Sequence, residues 1–130
     1  MIIVENKKEL IGFIKQRIKE QGPKCELNDI DVSKIDDMSF LFSDSKFNGD
    51  ISDWDVSKVR SMCYMFCESS FNGDISKWNV SNVGYMNSMF RDSRFSGDIS
   101  RWNVSNVVDM SYMFYDSPLS GREPEWYRLW

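Results

Sequence analysis

Apolar residues recur along this chain in columns spaced 24 positions apart. In one unit they are Ile51, Trp54, Val56, Val59, Met62, Met65, Phe66 and Phe71, and the matching positions in the units that begin at Leu27, Ile75 and Ile99 are apolar as well. A period of this length is the signature of repeat architectures, in which no single unit buries its own apolar edge and neighbours must stack. Trp54 and Val56 alternate as on a strand, which predicts that Asp53, Asp55 and Ser57 face the other way. From Val59 the period changes: Val59, Met62, Met65 and Phe66 share one face of a helical or 3₁₀ turn, with Ser57 placed to cap it. Glu68-Ser69-Ser70 and Asn72-Gly73-Asp74 then reverse the chain for the next unit.

The half-unit I-x-x-W-x-V-x-x-V has leucine-rich-repeat spacing, with valine or isoleucine where asparagine is usual. The predicted fold class is an α/β solenoid, a short right-handed leucine-rich-repeat stack whose strands pair in parallel. Three segments are expected. Residues 1–25 form an N-terminal amphipathic capping helix and lead-in, 26–121 form four 24-residue units, and 122–130 form an aromatic C-terminal cap. Asn6 with Glu9 reads as a capping box, Leu10, Ile11, Ile14 and Ile18 make one apolar stripe, and Gly22-Pro23 reads as a stop, so the helix should run from about Lys7 to Gln21. At the other end Trp126, Tyr127, Leu129 and Trp130 follow a degenerate unit in which Arg122-Glu123 replaces Asp-Ile.

The strings FNGDISDWDVSKVRSMCYMF and FNGDISKWNVSNVGYMNSMF resemble the BspA-like leucine-rich-repeat family of bacterial surface proteins and lipoproteins, over about Glu26 to Gly121. That resemblance implies a non-enzymatic binding module, commonly one used in adhesion or host contact.

Composition narrows the chemistry. The chain has no histidine, which excludes Ser-His-Asp and Cys-His nucleophilic sites, HExxH zinc sites and histidine acid/base catalysis. With 16 Lys plus Arg against 20 Asp plus Glu, the net charge of −4 argues against a nucleic-acid binder with a cationic face. Cys25, Cys63 and Cys67 match neither a disulfide framework nor a zinc site, and reduced thiols are expected. No signal-peptide core and no membrane-length apolar run is present, so a cytoplasmic monomer is expected, or a surface or secreted protein if a leader precedes Met1. No cofactor is expected.

Three outward-facing columns carry the candidate site. One reads Asp29, Asp53, Lys77, Arg101; the next reads Asp31, Asp55, Asn79, Asn103; the third is serine throughout. Packing does not dictate these positions, so they are the ones open to recognising a protein partner. The leading expectation is a protein–protein interaction module that binds through this strand face. Two alternatives stand beside it: a small acidic inhibitor of a nucleic-acid-binding protein, of mobile-element type and acting by charge mimicry, and a fragment of a surface adhesin. Asp50, Asp74 and Asp98 form a further acidic column, read either as Asx-type turns or as a calcium ladder. Asp44, Glu68, Asp92 and Asp116 form another on the turn-bearing side. The tryptophan and methionine columns read as core, with methionine filling gaps beside aromatics.

Overall fold

The computed structural model describes residues 1–130. The element order is β1 (Ile2–Ile3), α1 (Lys7–Gln21), β2 (Ile30–Asp31) and α2 (Glu125–Arg128), with β1 and β2 paired in parallel. The Asn6 side chain accepts from the Glu9 N–H at 2.9 Å, which satisfies one of the free donors of the first turn of α1. At the other end Gly22 has φ +87°, and its N–H closes onto the Ile18 carbonyl at 2.7 Å. Leu10 and Ile14 are buried, and Ile18 is partly buried against the same core.

Between Glu26 and Gly121 the chain repeats one conformation, and each unit bonds to the next. Met38, Phe40, Phe42 and Asp44 donate their backbone N–H groups to the carbonyls of Ser61, Cys63, Met65 and Cys67 at 2.9–3.0 Å. The same four bonds recur from Met62, Tyr64, Phe66 and Glu68 to Tyr85, Asn87, Met89 and Arg91, and again from Met86, Ser88, Phe90 and Asp92 to Asp109, Ser111, Met113 and Tyr115.

This ladder lies in the half-unit where sequence periodicity predicts a helical turn, and the I-x-x-W-x-V half, where a strand is predicted, runs mostly through tight turns. The cause is backbone handedness. Phe40, Asp44 and their equivalents Tyr64, Glu68, Ser88, Asp92, Tyr112 and Asp116 all have φ between +52° and +62°. A left-handed third residue lets Leu41 N–H close a turn on Met38 O at 3.2 Å, and alternate N–H groups are then satisfied by the next unit rather than within a helix. Two-residue strands pair in parallel only at Ile30–Asp31 against Ile2–Ile3, and single parallel bridges join Glu26 to Asp50, Asp37 to Ser61, Ser61 to Tyr85 and Tyr85 to Asp109.

The side chains follow the same register. Phe42 and Phe66 stack at 5.6 Å, Phe47 and Phe71 at 6.0 Å, and Trp54 and Trp78 at 6.4 Å, each pair within 5° of parallel. Each indole also ties one unit to the one before it. Trp54, Trp78, Trp102 and Trp126 donate Nε1–H to the carbonyls of Leu27, Ile51, Ile75 and Ile99 at 2.9–3.1 Å. The rings thus stay at most 5% exposed in Trp54, Trp78 and Trp102 without leaving a polar atom unpaired. At the end of the chain Tyr127 packs edge-on against Phe114 at 5.0 Å, and Trp130 stacks on Tyr127 at 6.2 Å.

Candidate functional site

The turns of the I-x-x-W-x-V half hold the candidate columns on the outside. Ile51, Trp54 and Val56 point into the core, so Asp53 and Asp55 between them stand in solvent, as do Lys77, Asn79, Arg101 and Asn103 in the later units. Asp29 and Asp31 are half-buried.

The two columns differ in what their side chains already do. Asp31, Asp55, Asn79 and Asn103 each accept, through Oδ1, the N–H of the serine two residues on, at 2.9–3.1 Å. These are Asx turns, and they reverse the role expected of Ser33, Ser57, Ser81 and Ser105: the serine N–H is the donor, and the Asx oxygen is the acceptor that fixes the bend. The Ser57 hydroxyl adds a second bond to Asp55 at 2.6 Å, and this pair of donors holds the Asp55 carboxyl below the usual carboxylate range. Ser33 does the same for Asp31.

In the other column Asp29 is already occupied. The Arg17 guanidinium of α1 grips both of its oxygens at 2.9 and 3.0 Å and holds its carboxyl low. The acidic end of the face is therefore partly neutralised by the chain itself. Asp53, Lys77 and Arg101 take no part in the chain's ion pairs, which join Lys7 to Asp37, Arg17 to Asp29, Lys34 to Glu5 and Arg91 to Asp92.

Two shallow depressions bring these free groups next to a column that sequence reasoning kept apart. One is lined by Ser52, Asp53, Asp74 and Lys77, the other by Ser76, Lys77, Asp98 and Arg101. Charges of opposite sign thus alternate across the face, and Asp74 and Asp98 belong to it. The signal in the sequence was the three-residue spacing from Asp74 to Lys77 and from Asp98 to Arg101, a separation that one turn closes.

Asp50, Asp74 and Asp98 themselves form Asx turns, each accepting the N–H of Ser52, Ser76 or Ser100 at 2.9 Å and the hydroxyl at 2.7 Å in the first two. No three His, Cys, Asp or Glu side chains converge closely enough to hold a metal ion. On the turn-bearing side the Glu68 carboxyl is pushed up by its contact with Asp44 and by repulsion from Asp44 and Asp92. Cys25 is buried, Cys63 and Cys67 are half-buried, and all three are free thiols. No helix is long and apolar enough to cross a membrane.

No curated protein and no solved structure matches the chain. The profile of one family, described as "Mycoplasma protein of unknown function, DUF285", matches residues 14–125, from the middle of α1 through every repeated unit to the start of α2. The match takes in Trp54, Trp78 and Trp102 of the indole ladder together with the Asx-turn columns, and the chain belongs to that family.

Proposed function

We propose that this chain is a non-enzymatic protein-binding module, a short right-handed leucine-rich-repeat type of solenoid that holds a protein partner on its exposed Asx-turn face. The contacts are Asp53, Asp55, Lys77, Asn79, Arg101 and Asn103, with Asp29 and Asp31 at the edge where Arg17 has already claimed one carboxylate.

One observation carries the reading. Within a frame whose bonds repeat unit after unit, the column Asp53, Lys77, Arg101 changes sign while staying exposed and outside every internal ion pair. Side chains that neither pack nor pair internally are left to recognise something else, and alternating charge sets orientation and association rate more than raw affinity. The carboxylates of the face also suit binding better than proton transfer. Serine donors hold Asp55, Asp74 and Asp98 ionised as turn acceptors, well away from the near-neutral pKa that a general acid or base needs.

The test is affinity capture from the native host with the intact chain, compared with the double variant Asp53→Lys and Arg101→Glu, whose side chains make no bond within the chain. Capture of a protein that the charge-reversed chain no longer retains, at an unchanged melting temperature, supports the reading. Equal retention by both chains refutes it for these residues.

A further inference from the structure

Two columns of the Asx-turn face change character at the same place, between the second and third units. Asp29 and Asp53 give way to Lys77 and Arg101, and Asp31 and Asp55 give way to Asn79 and Asn103. The frame does not require either change. Asp55 Oδ1 and Asn79 Oδ1 accept the N–H of the serine two residues on at 3.0 and 3.1 Å, so both residue types make the turn equally well. What differs is the remaining atom of the side-chain head. Asp55 keeps a spare acceptor, Oδ2, whereas Asn79 carries a donor, Nδ2–H, and neither atom is bonded within the chain. In the first column the sign of the charge reverses, with Asp53, Lys77 and Arg101 all exposed and outside the internal ion pairs.

We infer that this face holds a second copy of the same chain, laid antiparallel about a two-fold axis that passes between the second and third units. The pairing rests on the reading of this face as a protein-binding surface and names its occupant. Such an axis brings the second unit of one copy onto the third unit of the other, and the first onto the fourth. Asp53 then faces Lys77 of the second copy, and Asp29, with Arg17 already on it, faces Arg101 of the second copy. In the next column the spare Oδ2 of Asp55 accepts from the Nδ2–H of Asn79 of the second copy, and Asp31 stands in the same relation to Asn103. Each pair occurs twice, because a two-fold contact uses the same patch on both chains. The two copies also share one period, so a match at one unit carries to the others.

The same charges count against other arrangements of two copies. Parallel stacks bring acidic units onto acidic units. An antiparallel pair slipped by one unit sets Asp53 or Lys77 against its own equivalent. Only the axis between the second and third units gives every charge of the first column an opposite neighbour. Asp50, Asp74 and Asp98, in the column beside it, are all acidic; they weaken the contact but are alike and so cannot choose its register.

Sedimentation of the full chain from about 1 μM to 1 mM at low salt measures the association. The mass should rise from one chain to two and stop there, since a two-fold contact closes on itself. Lys77→Asp sets two carboxylates against each other on both sides of the axis and should weaken association on the order of tenfold or more. Adding Asp53→Lys to Lys77→Asp restores opposite charges across the axis and should return the association to within about threefold of the parent. Both variants should keep the parent's melting temperature, because neither side chain is in an internal ion pair. A single chain at every concentration overturns the inference. So does growth past two chains, association that Lys77→Asp leaves unchanged, or a double variant that stays dissociated. If the chain stays single while capture from the host still depends on Asp53 and Arg101, the occupant is a different protein: the pairing falls and the reading of the face stands.

Discussion

The Trp78 indole N–H reaches back 27 residues to the Ile51 carbonyl at 3.1 Å, while its ring stacks on Trp54. One side chain thus supplies apolar burial and a bond between units. Trp78→Ala removes both and should cost roughly 3–5 kcal/mol. Trp78→Phe keeps most of the ring but strands the Ile51 carbonyl, at about 1–3 kcal/mol. Urea denaturation checks both values, and a Trp78→Ala chain as stable as the parent would mean that the column contributes little to the core.

Two glycines should respond in opposite directions to the same change. A methyl group on Gly49 would sit 1.7 Å from the Cys25 carbonyl oxygen and 2.8 Å from the Phe47 ring, so Gly49→Ala must push backbone apart where the lead-in packs on the closing bend of the first unit. A methyl on Gly12, in α1, meets nothing within 4 Å. Gly12→Ala should therefore stabilise by about 0.5–1 kcal/mol through helix propensity alone. Thermal melts of the two variants should move in opposite directions.

Stability should also fall in acid. Asp29 is held below the usual carboxylate range by Arg17, and Asp31, Asp50, Asp55, Asp74 and Asp98 by the serines two residues on. An acid depressed in the folded state contributes stability that is fully present above its unfolded pKa of about 4 and is lost as pH falls toward the folded value. Denaturation midpoints should therefore be flat near neutrality and decline below about pH 4, with the steepest loss where these groups take up protons.

Glu68 has the opposite sign. Its carboxyl is raised by Asp44 and Asp92, so its ionised form is disfavoured in the folded chain at neutral pH. Glu68→Gln should raise the neutral melting temperature slightly, and the difference from the parent should shrink with added salt, since the group is exposed.

Spacing alone made the unit length and the core columns legible, because side chains such as Phe47, Phe71 and Phe95 share one environment only when the backbone repeats. Asn6 and Gly22 marked the two ends of α1 through local chemistry: an acceptor for free N–H groups, and a residue at ease with φ +87°. What spacing could not reveal was the handedness at Phe40, Asp44 and their equivalents. Aromatic residues rarely take positive φ, aspartate does so more readily but also serves in ordinary turns, and nothing in Met-Ser-Phe-Leu-Phe distinguishes a helical turn from left-handed bends whose donors point to the next unit. The same limit applied to the candidate face. The columns were readable, but the reach of Arg17 from α1 onto Asp29, and the approach of Asp74 to Lys77, depend on tertiary placement.

Because the same set of backbone and indole bonds joins each unit to its neighbour, the fold has a direction in which it is mechanically distinct. Tension between the two ends would load all the bonds of an interface together, and an interface would fail as a block before the next one took up the force. Extension should then proceed in equal steps of one unit's contour length, a sawtooth whose tooth spacing is written into the period of the sequence.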